Sequence, residues 1–337
     1  MAASNELYHA LRSQPGIVDR SDRVRIEVGG SDRARFLHNL TTNDVKRLAV
    51  GKGQESFVTS PQGKTLGYVT LAACDDRILL RTDPGGERLV LPHLQKYGVF
   101  DDVSLEDVSG TTFEFHLFGA GVDDILRAGG CELPPEGELN HATLSLGGVE
   151  VRAIRESPTG RPGLSLVGTR SDAPSVAACL RTLAGASGLV DVDSELFDIL
   201  RVEAGTPCFG RDVTEDNLPQ EIGRDAQAIS FVKGCYLGQE TVARIDALGH
   251  VNKIMKGVRF LTVEPPPAAG SHLLWEGKTV GKLTSTVDSP GWGVPLALAF
   301  VRTGQAVAGT ELLCQDQDGP ARRVAVCDLP MPAPLAE

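Results

Sequence analysis

The chain has 337 residues, 41% hydrophobic and 23% charged, and its 44 acidic against 33 basic side chains give a formal net charge of -11. That length exceeds the roughly 250 to 300 residues at which a single core stops growing, so two or three packed domains are expected. The acidic balance argues against broad attraction to nucleic acid or anionic membranes, and no apolar run approaches the roughly 18 residues of a membrane-spanning helix, so neither partner is expected. The first twenty residues carry Glu6 and Asp19 and lack both a signal-peptide apolar stretch and an acid-poor presequence, which reads as cytoplasmic. The cysteines show no C-x-x-C spacing and the histidines no H-x-x-x-H spacing, so no disulfide framework or metal centre is expected.

In chain order, Val24 to Val28 alternates like a strand, and Ser31 or Asp32 can cap a helix through Asn39 or Leu40 whose apolar face is Phe36, Leu37 and Leu40. Strands are expected over 55–60, 65–72 and 77–82, a helix over 87–97, and strands over 103–107 and 112–118. A helix near 123–128, strands over 143–154 and 164–167 and a helix over 174–184 follow. A helix then starts at Ser194 and is stopped by Gly205 and Pro207, with Arg201 and Glu203 at its end. After Met255 the chain breaks into short alternating strands punctuated by Gly and Pro, the pattern of a small antiparallel barrel or jelly roll. The class is α+β.

The stretch from Phe231 to Thr241 carries the most chemistry. Cys235 lies in a glycine-bounded turn, between Gly234 and Gly238, just before a helix over 239–245. Helix N-terminal amides and the nearby Lys233 would favour its thiolate, making it a usable nucleophile, redox thiol or metal ligand. The alternative is a small buried residue in a tight turn. Gln239, Glu240 and Arg244 read either as part of that site or as helix caps and decoration, and His250, just after Gly249, could approach Cys235 or simply occupy a loop.

Lys233-Gly234-Cys235-Tyr236-Leu237-Gly238-Gln239-Glu240 resembles the K-G-C-[FY]-x-G-Q-E signature of the YgfZ family, relatives of the glycine-cleavage T-protein that act on iron–sulfur proteins. Phe36 to Val45, with Asn43 and Asp44, is similar to that family's F-L-x-x-x-x-T-x-D-V segment. Arg201 to Gly205 resembles the R-[LV]-E-A-G shared with the T-protein, and Val280 to Ser285 and Ala297 to Val301 resemble strands of its barrel. The resemblance implies a three-domain T-protein-like ring: two intertwined α+β subdomains over 1–250 that bind folate, and an antiparallel β-barrel over 251–330. It further implies tetrahydrofolate or a derivative as cofactor, held by Arg201, Glu203, Phe231, Tyr68, Asn43 and Asp44, with Cys235 as functional thiol beside the folate channel and iron–sulfur client or assembly proteins as partners; the alternative for Arg201 and Glu203 is a salt bridge closing the helix end, and for Phe231 ordinary core packing.

The T-protein is a tetrahydrofolate-dependent aminomethyltransferase, and its loop G-G-[IV]-x-D-D supplies an aspartate next to the folate. Here Gly67 and Tyr68 occupy both aspartate positions, Gly67 being the match to the catalytic one. Likewise Ser157-Pro158-Thr159-Gly160-Arg161 resembles the T-protein's G-Y-T-G-E, with Arg161 where that enzyme has its pterin-binding glutamate. The expectation is therefore a folate-binding accessory protein for assembly, maintenance or repair of iron–sulfur proteins, with an aminomethyltransferase as the alternative. An acidic protein that binds folate carboxylates needs local cations at its channel mouth, for which Lys233, Arg244, Lys253 and Lys256 are candidates.

Overall fold

The computed structural model describes residues 2–316 and 319–331. Three sheets organise it. A five-stranded antiparallel sheet runs in the order Gly53–Thr59, Thr65–Ala73, Ile78–Thr82, Val24–Gly29, Ser104–Asp107, and helices Arg33–Leu40 and Glu87–Tyr97 supply the rest of this first lobe. A six-stranded sheet builds the second lobe in the order Val190–Val192, Gly16–Asp19, Thr112–Phe118, Gly163–Thr169, Val149–Arg155, His141–Leu146, with helices Val122–Ala128 and Ala173–Ala184. The strands Lys253–Phe260, Val294–Arg302, Lys278–Ser289, His272–Trp275, Glu311–Gln315 and Arg322–Cys327 close into a barrel in that order.

The first two lobes are interleaved: Gly16–Asp19 pairs in the second sheet before the chain crosses to build the first, then returns at Thr112. This edge-to-centre strand and Val190–Val192 escape the sequence reading because four and three residues show too little alternation to register. The capping expectation at Ser31 and Asp32 needs correction: neither side chain caps the helix. Ser31 Oγ donates to Asp102 at 2.7 Å, and the Asp32 carboxylate accepts the Asp102 N–H at 3.0 Å. The expected 143–154 segment is a hairpin turning at Gly147-Gly148, where both residues have positive φ.

Three seams join the lobes in a ring. Helix Ser194–Ala204 lays Leu196, Phe197, Ile199 and Leu200 between the second sheet, at Val18 and Phe118, and the barrel, at Val287, Leu296 and Leu298. Phe57 of the first sheet meets Met255 and Phe300 of the barrel through Phe209, Ile222, Ile229 and Tyr236. Between the first two lobes, Ala72 and Leu79 pack on Leu139, Ile154 and Val167. This seam is tight at Gly53, where a Cβ would stand 2.6 Å from the Leu139 carbonyl oxygen and 2.8 Å from Leu139 Cβ. Gly53→Ala should therefore lower stability by about 1–3 kcal/mol through overpacking, read as a shift in the urea unfolding midpoint. An unchanged midpoint would show that the seam yields.

Candidate functional site

All three lobes contribute to a central cavity of about 620 Å³, a size ordinary for small-molecule sites. From the first lobe, strand alternation turns Tyr68 and Thr70 to this cavity while Gly67 faces helix Glu87–Tyr97, where a Cβ would collide with Val90. Of the two positions at which the T-protein has aspartates, Tyr68 is thus the one on the wall. Its hydroxyl donates to Glu55 Oε2 at 2.6 Å, and Arg224 clamps both oxygens of Glu55, with Nε 3.1 Å from Oε2. Burial, then the Glu55 charge, pushes the Tyr68 pKa well up, so the group stays a phenol.

Beside Thr70, whose cross-strand partner is Arg81, lies a buried charge cluster that joins the first two lobes. Arg81 donates to Glu114 at 3.0 Å and to Glu156 at 2.8 Å, and Arg23 reaches the same two carboxylates at 2.8 and 3.4 Å. Burial alone would raise both acids; Arg81 and Arg23 override it and hold Glu156 and Glu114 below the usual carboxylate range. Ser165 Oγ donates to Glu156, so the His116 Nδ1 atom 3.1 Å from that oxygen must carry the proton. Burial lowers the His116 pKa to about 4, keeping the imidazole neutral. Phe197 completes this side, with the Arg20 guanidinium stacked 4.2 Å from its ring centroid.

Of the residues expected in the site, Tyr68 and Arg201 line the cavity; Glu203, Phe231, Asn43, Asp44 and Cys235 lie outside its wall. Arg201 is 4% exposed and its guanidinium is spent on protein: Asp198 at 2.5 Å, Asp212 at 2.7 Å and Ser285 Oγ at 2.7 Å. A bulge at Thr284 turns both the Thr284 and Ser285 hydroxyls to Asp212, each at 2.6 Å, so Arg201 locks the helix end to the barrel. Glu203 does not pair with Arg201; it accepts from Tyr8 at 3.0 Å and from Ser289. The Asn43 amide donates to the carbonyls of Glu55 and Gln227, one layer behind the wall, and Asp44 pairs with His38 at 3.2 Å.

The signature loop alternates in orientation. Lys233 and Tyr236 are buried, whereas Phe231, Val232, Gly234, Cys235 and Glu240 face outward and Gly238 and Gln239 are half-buried. Gly238 opens the helix Gln239–Leu248 in a left-handed conformation, and a Cβ there would collide with the Ser60 carbonyl. Lys233 Nζ does not serve Cys235. It donates to the carbonyls of His38, Thr41 and Asn43 at 2.6, 2.6 and 2.8 Å and lies 4.7 Å above the Tyr236 ring. Burial draws its pKa down to about 7, but three acceptors matched to three ammonium protons favour the charged form. The His250 ring stands 3.0 Å from its neighbour Leu248's carbonyl. Among the suggested cations only Lys256 reaches the cavity, paired with Asp328 at 2.6 Å; Lys253 pairs with Glu221 at 3.5 Å and Arg244 is exposed on its helix. Among the described residues, no three His, Cys, Asp or Glu side chains gather to hold a metal ion, and no helix is long and apolar enough to cross a membrane.

Sequence reasoning missed Glu55, Arg224, Glu138, Glu156, Arg23 and Phe197. Only Glu55 had a readable signal: a lone acid beside the buried strand run Ser56 to Thr59.

Two interleaved α+β lobes and a closed barrel around a shared polar cavity define a class of three-lobed ligand-binding proteins. Residues 1–231 match the GCVT N-terminal domain and residues 256–331 the glycine cleavage T-protein C-terminal barrel domain, and the chain belongs to this T-protein family. It is 30% identical over 297 residues to a chloroplastic protein of Arabidopsis thaliana named only provisionally as a transferase, covering 87% of this chain but 66%, just under two thirds, of that relative. It is 25% identical to an aminomethyltransferase of Halalkalibacterium halodurans over 313 residues, 91% of this chain and 84% of the relative. The crystal structure of the glycine cleavage aminomethyltransferase T from Bartonella henselae shares the fold, with a TM-score of 0.86 at 22% identity over 97% of this chain and 89% of that one.

Two outcomes test this geometry. Lys233→Met, which leaves three carbonyls without their donor, should cost about 2 kcal/mol or more in urea unfolding; a smaller loss would mean that the carbonyls find other donors. Glu156→Gln should cost about 3–5 kcal/mol at neutral pH by leaving buried arginines short of a counter-charge. Because the folded-state pKa of Glu156 is depressed, its contribution is complete above the unfolded value of 4.5 and fades as pH falls toward the folded one. The stability gap between wild type and Glu156→Gln should thus shrink below about pH 4.5; a gap constant to pH 3 would rule out this linkage.

Proposed function

We propose that this protein is a folate-binding accessory factor for the assembly, maintenance or repair of iron–sulfur proteins, working without aminomethyl transfer. The observation that carries this reading is the wall at Tyr68: of the two positions matched to T-protein aspartates, Gly67 has no side chain and is turned away, and the one on the wall is a phenol that stays protonated, while the thiol of the signature loop faces outward.

The cavity suits a folate. Its volume is adequate, Phe197 and Tyr68 offer aromatic surface, Leu139, Met255 and Leu329 add apolar wall, and Lys256 and Arg20 stand where carboxylates of the ligand could be drawn. A bound reduced folate would supply one-carbon or reducing chemistry. The chain's own residues do the remaining work: Arg224 and Tyr68 fix the Glu55 carboxylate, and the Arg23 and Arg81 cluster keeps Glu156 ionised at the wall. Cys235, on the outer face with Phe231 and Val232, is available to a client protein.

A second reading, a tetrahydrofolate-dependent aminomethyltransferase, is favoured by one feature: Glu55 brings a carboxylate to the same wall from the neighbouring strand. The readings separate in cells lacking the protein. Aconitase activity should fall on deletion and return with wild type but not with Cys235→Ala at equal abundance. No change on deletion would end the iron–sulfur reading. Formation of methylene-tetrahydrofolate by the purified protein from an aminomethyl donor would instead establish the transferase.

A further inference from the structure

Eight carboxylates line the cavity, and six are neutralised by a neighbouring cation. Asp22 and Asp83 face Arg20, Glu55 faces Arg224, Glu156 faces Arg23 and Arg81, Asp198 faces Arg201 and Arg211, and Asp328 faces Lys256. Of the other two, Asp19 folds back on its own turn, accepting the Ser21 N–H at 2.8 Å. Glu138 has no ion pair among the described residues; its oxygens take the Ser157 N–H at 3.0 Å and, weakly, the Ser157 hydroxyl at 3.5 Å.

The backbone that presents Glu138 is constrained. Leu139, the next residue, has a φ of 60°, a left-handed conformation that a branched side chain adopts at a cost. It is held there by its N–H on the Arg155 carbonyl at 2.7 Å, by burial in the seam between the lobes and by the gap that Gly53 leaves for it. Meanwhile Arg161, matching the T-protein's pterin-binding glutamate, is turned off the wall and donates to the Leu11 carbonyl.

We infer that Glu138 anchors the donor edge of the ligand in the central cavity, the 2-amino-4-oxopyrimidine edge of a pterin, in place of the glutamate that Arg161 has displaced. The chemistry is that of two N–H groups side by side meeting a carboxylate, and Glu138 is the wall acid with capacity to spare. The Glu138 side chain is open to solvent at the cavity; partial desolvation by its surroundings, opposed by the Ser157 N–H and reinforced by the charges of Glu156 and Glu55, raises its pKa despite Arg224. Two N–H donors side by side favour the ionised form of a carboxylate held in that environment.

The inference rests on the folate reading, and the test separates the two. Wild type, Glu138→Gln and Glu138→Ala are titrated calorimetrically with folate and with its 2-desamino-2-methyl analogue, which lacks one of the two donors. Wild type should bind folate at least about tenfold more tightly than the analogue, the 1.4 kcal/mol of a charge-assisted bond, and both variants should bind the two ligands alike. Variants that still discriminate as wild type does would overturn the role of Glu138 and leave the folate reading standing. Wild type that binds neither ligand would overturn both.

Discussion

The buried cluster of Arg23, Arg81, Glu114 and Glu156 is the constraint on which the arrangement of the lobes depends. It stands where the chain crosses from Gly16–Asp19 in one sheet to Val24–Gly29 in the other, and it draws its acids from the second lobe and Arg81 from the first. Four charges removed from water are costly unless all are paired, and loss of any partner leaves the rest exposed to that cost. The lobes can therefore meet in few ways, since a slip of one strand by one residue would turn Arg81 away from both glutamates. What such a cluster gives is definition of geometry, and it gives it at the cavity wall, where Glu156 and Arg23 are members of both.

All three seams have an apolar core, and the contrast with the centre of the ring explains the cavity. Helix Ser194–Ala204 and the Phe209 to Tyr236 segment fill their joints with Leu, Ile, Phe and Val, so those joints close to core density. At the centre the three lobes face one another with charged and hydrogen-bonding groups already committed to neighbours, some of them across lobes. Six neutralised carboxylates make a surface that tolerates solvent or a polar ligand and gains nothing by collapsing.

Much of the fold was legible because long strands and helices carry their period. The barrel strands and the helices over Glu87–Tyr97 and Ser194–Ala204 lie where alternation, Gly205 and the turn residues put them. The segments that carry the family resemblance prove to be contact partners: Phe36 to Val45 receives Lys233, and Arg201 meets Ser285. What the segments do not reveal is which way each side chain points. One signal was present and unused, for residues two apart on a helix do not share a face, and Arg201 and Glu203 turn to different partners for that reason. The cavity residues Arg224 and Glu138 come from irregular loops with no period at all, and their roles depend on a partner lobe that sequence spacing cannot supply.

The outward thiol and the cavity are connected through backbone rather than side-chain chemistry. Lys233 ties the loop to the carbonyls at His38, Thr41 and Asn43; the Asn43 amide in turn binds the carbonyls of Glu55 and Gln227, both residues of the cavity wall. Every link is a hydrogen bond to a main-chain oxygen, so the path is independent of which side chains Glu55 and Gln227 carry. On the folate reading, a ligand that orders the wall would also firm the carbonyls on which Lys233 hangs, and with them the loop that carries Cys235. The hydrogen bonds thus join cavity wall and thiol loop without any direct contact between them.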